Sequence, residues 1–142
     1  MVPKRTNTQV QGIVFCKRLN SFLFLVLKGG YWQPITGGVT ENENPIAAIK
    51  REVDEELGIN KFKVIDISYK FIFSLENGKQ ITEHVFGIEV NGKEKLYLSY
   101  EHVECKWLPY SESRKILQWE SNKIALDKLR EFLNQSYGKR AN

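Results

Sequence analysis

Three glutamates stand close together in the run Arg51-Glu52-Val53-Asp54-Glu55-Glu56-Leu57-Gly58. Glu52, Glu55 and Glu56 are related as i, i+3 and i+4. On a helix they share one face, with Cβ atoms about 5–6 Å apart. Like charges at this spacing repel by a few tenths of a kcal/mol per pair. They also fall towards the helix C-terminus, where the dipole disfavours acids. A sequence selected for stability alone would avoid this. A hard divalent cation removes the conflict. Carboxylate oxygens suit Mg²⁺ or Mn²⁺, and Mg²⁺ keeps waters and takes further ligands from phosphates. A bare E-x-x-E-E is more often a solvated helix face, so the triplet needs its context.

The context begins with the helix itself. Asn44-Pro45 opens it, with Asn44 as N-cap and Pro45 at the first helical position. Gly58 closes it. Ile46, Ile49, Val53 and Leu57 form an apolar stripe turned away from the carboxylates, so the stripe can bury while the acids stay accessible. Around this helix the chain reads as strands. Residues 9–16 form one. Residues 22–27, Phe-Leu-Phe-Leu-Val-Leu, are continuously apolar and predict a strand covered on both faces. Residues 31–38 form a short extended piece ending in glycines. Residues 63–73 alternate through Ile65, Ile67, Tyr69, Phe71 and Phe73. Asn77-Gly78 is a hairpin turn leading into a strand over 81–90, and a last strand covers 103–108. A short helical piece over 111–117 precedes a C-terminal helix with Ile124, Leu126, Leu129, Phe132 and Leu133 on one face. This order predicts an α/β fold with a mixed sheet between helices.

The full spacing Gly37-x5-Glu43-x7-Arg51-Glu52-Val53-x-Glu55-Glu56-x-Gly58-Ile59 resembles a complete Nudix box. Seven fixed residues would coincide on the order of once in 10⁸ start positions at average usage. The resemblance implies an α/β/α sandwich with a central mixed β-sheet. It also implies hydrolysis, dependent on Mg²⁺ or Mn²⁺, of a nucleoside diphosphate linked to another moiety. By resemblance, Glu52, Glu55 and Glu56 hold metal and Gly37 offers its backbone carbonyl. Arg51 orients a glutamate by ion pairing, with Glu43 as its partner.

Outside the box, Trp32-Gln33-Pro34-Ile35-Thr36-Gly37 is similar to a run in the dihydroneopterin triphosphate pyrophosphohydrolases. So are Thr82-Glu83, the segment Glu101-His102-Val103-Glu104-Cys105-Lys106-Trp107-Leu108, and Trp119-Glu120-Ser121-Asn122-Lys123, the most distinctive of these. That group implies Glu101 as a further metal ligand, with Thr36 and Lys28 near the substrate. The general base is either Glu52 or Glu101. Trp32 either touches substrate or packs under the glycine loop. Asymmetric diadenosine tetraphosphate hydrolases share a similar Glu-His-x-x-x-Lys/Arg-Trp-Leu segment and are the main alternative. A non-catalytic nucleotide- or RNA-binding module that kept the fold is more remote. The proline usual after the box in ADP-ribose-type members does not occur, and neither does a coenzyme A signature before the box.

The chain has 142 residues, 42% of the hydrophobic class and 27% charged. This fits one domain over 1–142, with a disordered tail at about 138–142. No apolar run approaches the roughly 20 residues of a membrane helix, and the N-terminus does not read as a signal peptide. Cys16 and Cys105 form no metal-type pair, so the reading is a reduced, cytoplasmic chain, monomer or homodimer. Its 21 Lys and Arg outnumber 17 Asp and Glu. Six of those acids, Glu41, Glu43, Glu52, Asp54, Glu55 and Glu56, lie in one short stretch. The picture is an acidic, metal-lined patch in a basic frame, suited to a small-molecule nucleotide polyphosphate, with nucleic acid not favoured as partner.

Overall fold

A computed structural model describes residues 3–27, 30–99 and 102–138. Lys28, Glu101 and the tail beyond residue 138 lie outside the described residues. Among the described residues the elements run β1 (Arg5–Cys16), β2 (Ser21–Leu27), β3 (Trp32–Gln33), β4 (Ile35–Thr40), α1 (Pro45–Leu57), β5 (Lys63–Ser74), β6 (Gln80–Glu89), β7 (His102–Leu108), α2 (Tyr110–Ile116) and α3 (Glu120–Gly138).

The strands form one sheet in the order β3-β2-β1-β6-β5, with β4 on β1 and β7 on β2. β1 and β6 are parallel and the other pairs antiparallel. One edge of β1 is divided: β4 pairs along Arg5–Gly12 and β2 along Val14–Cys16. β1 therefore carries the site-bearing strand at one end and the core strand at the other.

Each face of the sheet buries its own core. Val10, Val14, Leu23, Leu25, Phe86 and Ile88 pack with Ala48, Ile49, Val53 and Leu57 of α1. Ile13, Phe15, Phe22, Phe24, Ile65 and Val85 pack with Leu117, Ala125, Leu126 and Leu129. The result is the expected α/β/α sandwich. The apolar run of β2 has the cause its sequence implies: alternate residues serve opposite cores. Each buried Leu, Ile or Phe contributes about 1.5–3 kcal/mol.

Two apolar stripes differ from expectation. Ile46 is 43% exposed. It lies in the first turn of α1 and is not among the side chains packed in the core between α1 and the sheet. The buried arc runs instead through Ala48, Ile49, Glu52, Val53 and Leu57. On α3, Ile124 is exposed and the buried arc is Asn122, Ala125, Leu126 and Leu129. Residues two apart on a helix point about 200° apart, so Ile124 and Leu126 cannot share a face. The strand predicted over 9–16 begins at Arg5, and the extended piece after Tyr31 is resolved into β3 and β4, the latter paired to β1. No helix among the described residues is long and apolar enough to cross a membrane.

Candidate active site

The site is built where α1 crosses β1 and β4. Asn44 Oδ1 accepts from the Ala47 amide at 2.8 Å, which caps the helix start. Gly58 adopts φ 64°, ψ 28° and its amide donates to the Asp54 carbonyl at 2.9 Å, which ends it. The helix lies close on β1 because residue 12 is glycine: a Cβ there would stand 2.8 Å from Ile49 Cδ1.

Arg51 is the hub. Its Nε and Nη2 donate to the two Glu43 oxygens at 3.1 and 2.7 Å. Nη2 also donates to the Gly38 carbonyl at 2.9 Å. Nη1 donates to Glu52 Oε1 at 2.7 Å and to Glu55 Oε2 at 3.4 Å. Every N–H of the guanidinium thus has an acceptor. Glu43 Oε1 further accepts from the Thr40 amide at 3.0 Å. The Arg51 hydrogen bonds hold Glu43 well below the usual carboxylate range, at about 2. The same bonds push the Arg51 pKa up. Arg51 and Glu43, eight residues apart, tie α1 to the end of β4.

Glu52 differs from the accessible acid expected. It is 8% exposed, because it sits at i+4 from Ala48 on the buried arc. Its carboxyl group lies against Gly37, where any Cβ would collide with it. Burial pushes the Glu52 pKa up, and its hydrogen bond from Arg51 opposes this. Glu55 is exposed and Glu56 partly so. The Ser99 hydroxyl lies 3.5 Å from Glu56 Oε2.

These groups line an open cavity of about 690 Å³ together with Arg5, Gln9, Thr36, Gly37 and Gly38. Among the described residues no three acidic, histidine or cysteine side chains converge into a closed metal cage. The donors available are hard oxygens: the carboxylates of Glu52, Glu55 and Glu56 and the Gly37 carbonyl. This set fits Mg²⁺ or Mn²⁺, which tolerate few protein ligands and keep waters.

A second cleft of about 500 Å³ adjoins the first and shares Gln9 and Thr36 with it. Its other walls include Gln33, Phe71, Phe73, Glu83, Trp119 and Asn122. The register explains the grouping, since Gln9 pairs with Glu83 and Glu83 with Phe71 across three neighbouring strands. The turn carrying Trp119 is braced by Arg114 of α2, whose Nη2 lies 2.9 Å from Asp127 Oδ2 of α3. The Tyr110 hydroxyl donates to the same carboxylate. Trp32 lines neither cavity; it packs against the core on the α3 face of the sheet, with the Lys106 ammonium 4.9 Å from its ring centre.

Residue type and spacing assign no role to Arg5, Gln9, Gln11 or Ser99, and Glu83 and Asn122 lie within the runs Thr82-Glu83 and Trp119-Glu120-Ser121-Asn122-Lys123. Gln11 did carry a signal: it alternates with Ile13 and Phe15 on a core-facing strand face, where a polar residue needs a partner.

Residues 5–129 match the NUDIX domain family model. The chain belongs to the NUDIX family, whose members are pyrophosphohydrolases acting on phosphoric anhydride bonds and generally use Mg²⁺ or Mn²⁺. A NUDIX hydrolase structure from Listeria monocytogenes is 30% identical, covers 90% of this chain and 94% of that one, and superposes with a TM-score of 0.78. The E. coli dihydroneopterin triphosphate pyrophosphohydrolase is 21% identical over 89% of this chain and 97% of that one, TM-score 0.78, and shares the fold. The asymmetrical bis(5′-nucleosyl)-tetraphosphatase of Rattus norvegicus is 28% identical over 94% of this chain and 87% of its own. A match of 30% identity to an octanoyltransferase of Myxococcus xanthus spans 57% of this chain and only 23% of that longer protein.

Proposed function

We propose that this chain hydrolyses a nucleoside triphosphate, of the dihydroneopterin triphosphate or deoxynucleotide type, to the monophosphate and pyrophosphate with Mg²⁺ or Mn²⁺. The observation that carries this reading is the pairing of two cavities. A carboxylate- and arginine-lined cavity suits a polyphosphate, and it opens past Thr36 and Gln9 into an aromatic cleft sized for a base.

Glu52, Glu55, Glu56 and the Gly37 carbonyl would hold the cation. Bound there, it would neutralise phosphate charge and acidify a water. The chain's own residues do the rest. Arg51 holds Glu52 in place while its grip on Glu43 locks the helix to β4. With the cation held mainly by Glu55 and Glu56, Glu52, its pKa raised by burial, suits the role of proton acceptor as water attacks phosphorus and the α–β anhydride bond breaks. Glu101 is the other candidate base and metal ligand. Arg5 and Lys28 supply positive charge for the phosphates. Thr36, at the junction of the clefts, touches the link between base and phosphates, and Trp32 supports this segment from below. The surroundings proposed are cytoplasmic, with no nucleic acid partner.

The test is a panel of nucleotides with Mg²⁺, read by pyrophosphate release. Glu56→Gln should lose most of the turnover; wild-type rates in that variant would remove it from the site. A second reading is supported by the tetraphosphatase relatives. It expects ATP plus AMP from diadenosine tetraphosphate and no pyrophosphate.

A further inference from the structure

The floor of the aromatic cleft holds a buried polar relay that the hydrolysis itself does not use. Glu83, on β6, is 6% exposed. Its Oε2 accepts from Gln11 Nε2 at 2.7 Å. Gln11, fully buried on β1, accepts in turn at Oε1 from Asn122 Nδ2 at 3.4 Å. Asn122 is buried at the start of α3.

The relay has a direction. Burial pushes the Glu83 pKa up and the Gln11 hydrogen bond opposes this; the Gln11 NH₂ is turned towards Glu83, which accepts from it. The Gln11 carbonyl then faces Asn122, which must answer with its own NH₂. This leaves two acceptors unused, Glu83 Oε1 and Asn122 Oδ1. Neither has a partner among the described residues. Neither is sealed from solvent, because no buried side-chain oxygen or nitrogen among the described residues lacks a partner. Both residues line the cleft. Phe71 is the direct cross-strand neighbour of Glu83. Trp119, 56% exposed, stands at the mouth edge-on to Tyr31, with ring centres 5.9 Å apart.

An aromatic slot whose floor offers acceptors selects a flat ring whose edge offers donors. Guanine and pterin rings share such an edge, a ring N–H beside an exocyclic NH₂. Adenine and cytosine present a donor beside an acceptor. Uracil and hypoxanthine present one N–H and lack the amino group. We propose that Glu83, oriented by Gln11 and Asn122, reads the N–H/NH₂ edge of a 2-amino-4-oxopyrimidine ring, making guanine- and pterin-type nucleotides the preferred substrates. The proposal rests on the reading of the adjoining cavity as the triphosphate site and names its substrate class.

The decisive comparison is GTP against ITP, which differ by the 2-amino group. With Mg²⁺, kcat/KM for GTP should exceed that for ITP by about tenfold or more, since a missing donor leaves a buried acceptor unpaired. ATP, CTP and UTP should fall with ITP or below it. Glu83→Gln, which places an NH₂ where an acceptor stood, should erase most of the GTP preference. A parallel binding series keeps this apart from catalysis: guanosine, neopterin, inosine and adenosine titrated against the intrinsic tryptophan fluorescence of the wild-type protein. Turnover of all the nucleotides at similar kcat/KM, or a preference for adenine, would overturn the base assignment and leave the pyrophosphohydrolase reading standing. Should no nucleotide turn over, tighter binding of guanosine and neopterin than of inosine and adenosine still supports the assignment, and equal binding overturns it.

Discussion

Gly37 and Glu52 occupy space that only a glycine leaves open: a Cβ on residue 37 would collide with the Glu52 carboxyl group. Gly37 lies on β4 and Glu52 on α1, and Arg51 pins the same carboxylate from the other side at 2.7 Å. The acid is held between a backbone it must touch and a cation it cannot leave. Gly37→Ala should therefore displace Glu52 while leaving most of the sheet intact. We expect a loss of roughly 100-fold in pyrophosphate release, the scale of an ångström misplacement at a reacting centre. The thermal midpoint should fall by only a few degrees, about 1–3 kcal/mol of overpacking. Wild-type turnover in this variant would show that Glu52 can act from another position.

Removing the charge of Glu52 should separate stability from activity. A buried carboxylate at neutral pH carries a desolvation cost that Arg51 offsets only in part. Glu52→Gln keeps the volume and drops that cost. The cation-free variant should unfold at the wild-type temperature or a few degrees above it, about 1 kcal/mol in its favour. Its turnover should fall by at least about 100-fold. Wild-type protein should gain thermal stability from Mg²⁺ or Mn²⁺, and the variant should gain less. Calorimetry with and without the cation reads the stabilities, and pyrophosphate release reads the turnover.

The Arg51–Glu43 pair predicts an acid limb. The pair holds the Glu43 carboxyl at about 2, against an ordinary value of 4.5. Below both values Glu43 is protonated in folded and unfolded chains alike. Between them only the unfolded chain takes up the proton, so stability rises with pH across this window. The contribution is complete above about 4.5 and lost as pH falls towards 2. Urea midpoints measured between pH 2 and 6 should fall more steeply for the wild type than for Glu43→Gln. Arg51→Lys should also lose activity, because a single ammonium cannot bridge Glu43, Gly38 and Glu52 together.

Two isoleucines one turn apart on α1 should behave oppositely. Ile49 is fully buried above Gly12, whereas Ile46 is exposed. Ile49→Ala should cost about 2–5 kcal/mol. Ile46→Ala should stay within about 0.5 kcal/mol. Equal losses in chemical unfolding would contradict the packing described here.

At the mouth of the aromatic cleft, Trp119 is exposed enough that its loss should leave folding untouched. Trp119→Ala should raise KM for the preferred nucleotide by about tenfold, the value of one stacking contact. An unchanged KM would place the base elsewhere.

Much of the site was legible because helical spacing is a local rule. Asn44, Pro45 and Gly58 bound α1 as their backbone preferences require. The seven residues between Glu43 and Arg51 bring an acid before the helix beside a base within it. Periodicity alone did less well at choosing faces. Ile46 has the angle of the buried stripe but sits past the packed region, while Glu52 is drawn inside despite its charge.

From the sequence alone come the α1 carboxylate triplet, its caps, the apolar β2 and the layered α/β architecture, because each follows from neighbours a few residues apart. Only the tertiary structure decided what stands opposite them. The parallel pairing of β1 with β6 sets Gln9 beside Glu83, residues far apart in the chain. The divided edge of β1 brings Arg5 and Gly37 to the same cavity. Gln11, Glu83 and Asn122 meet through packing of α3 on the sheet. Such contacts depend on strand register and on the close approach that Gly12 and Gly37 permit. Neither leaves a periodic trace along the chain.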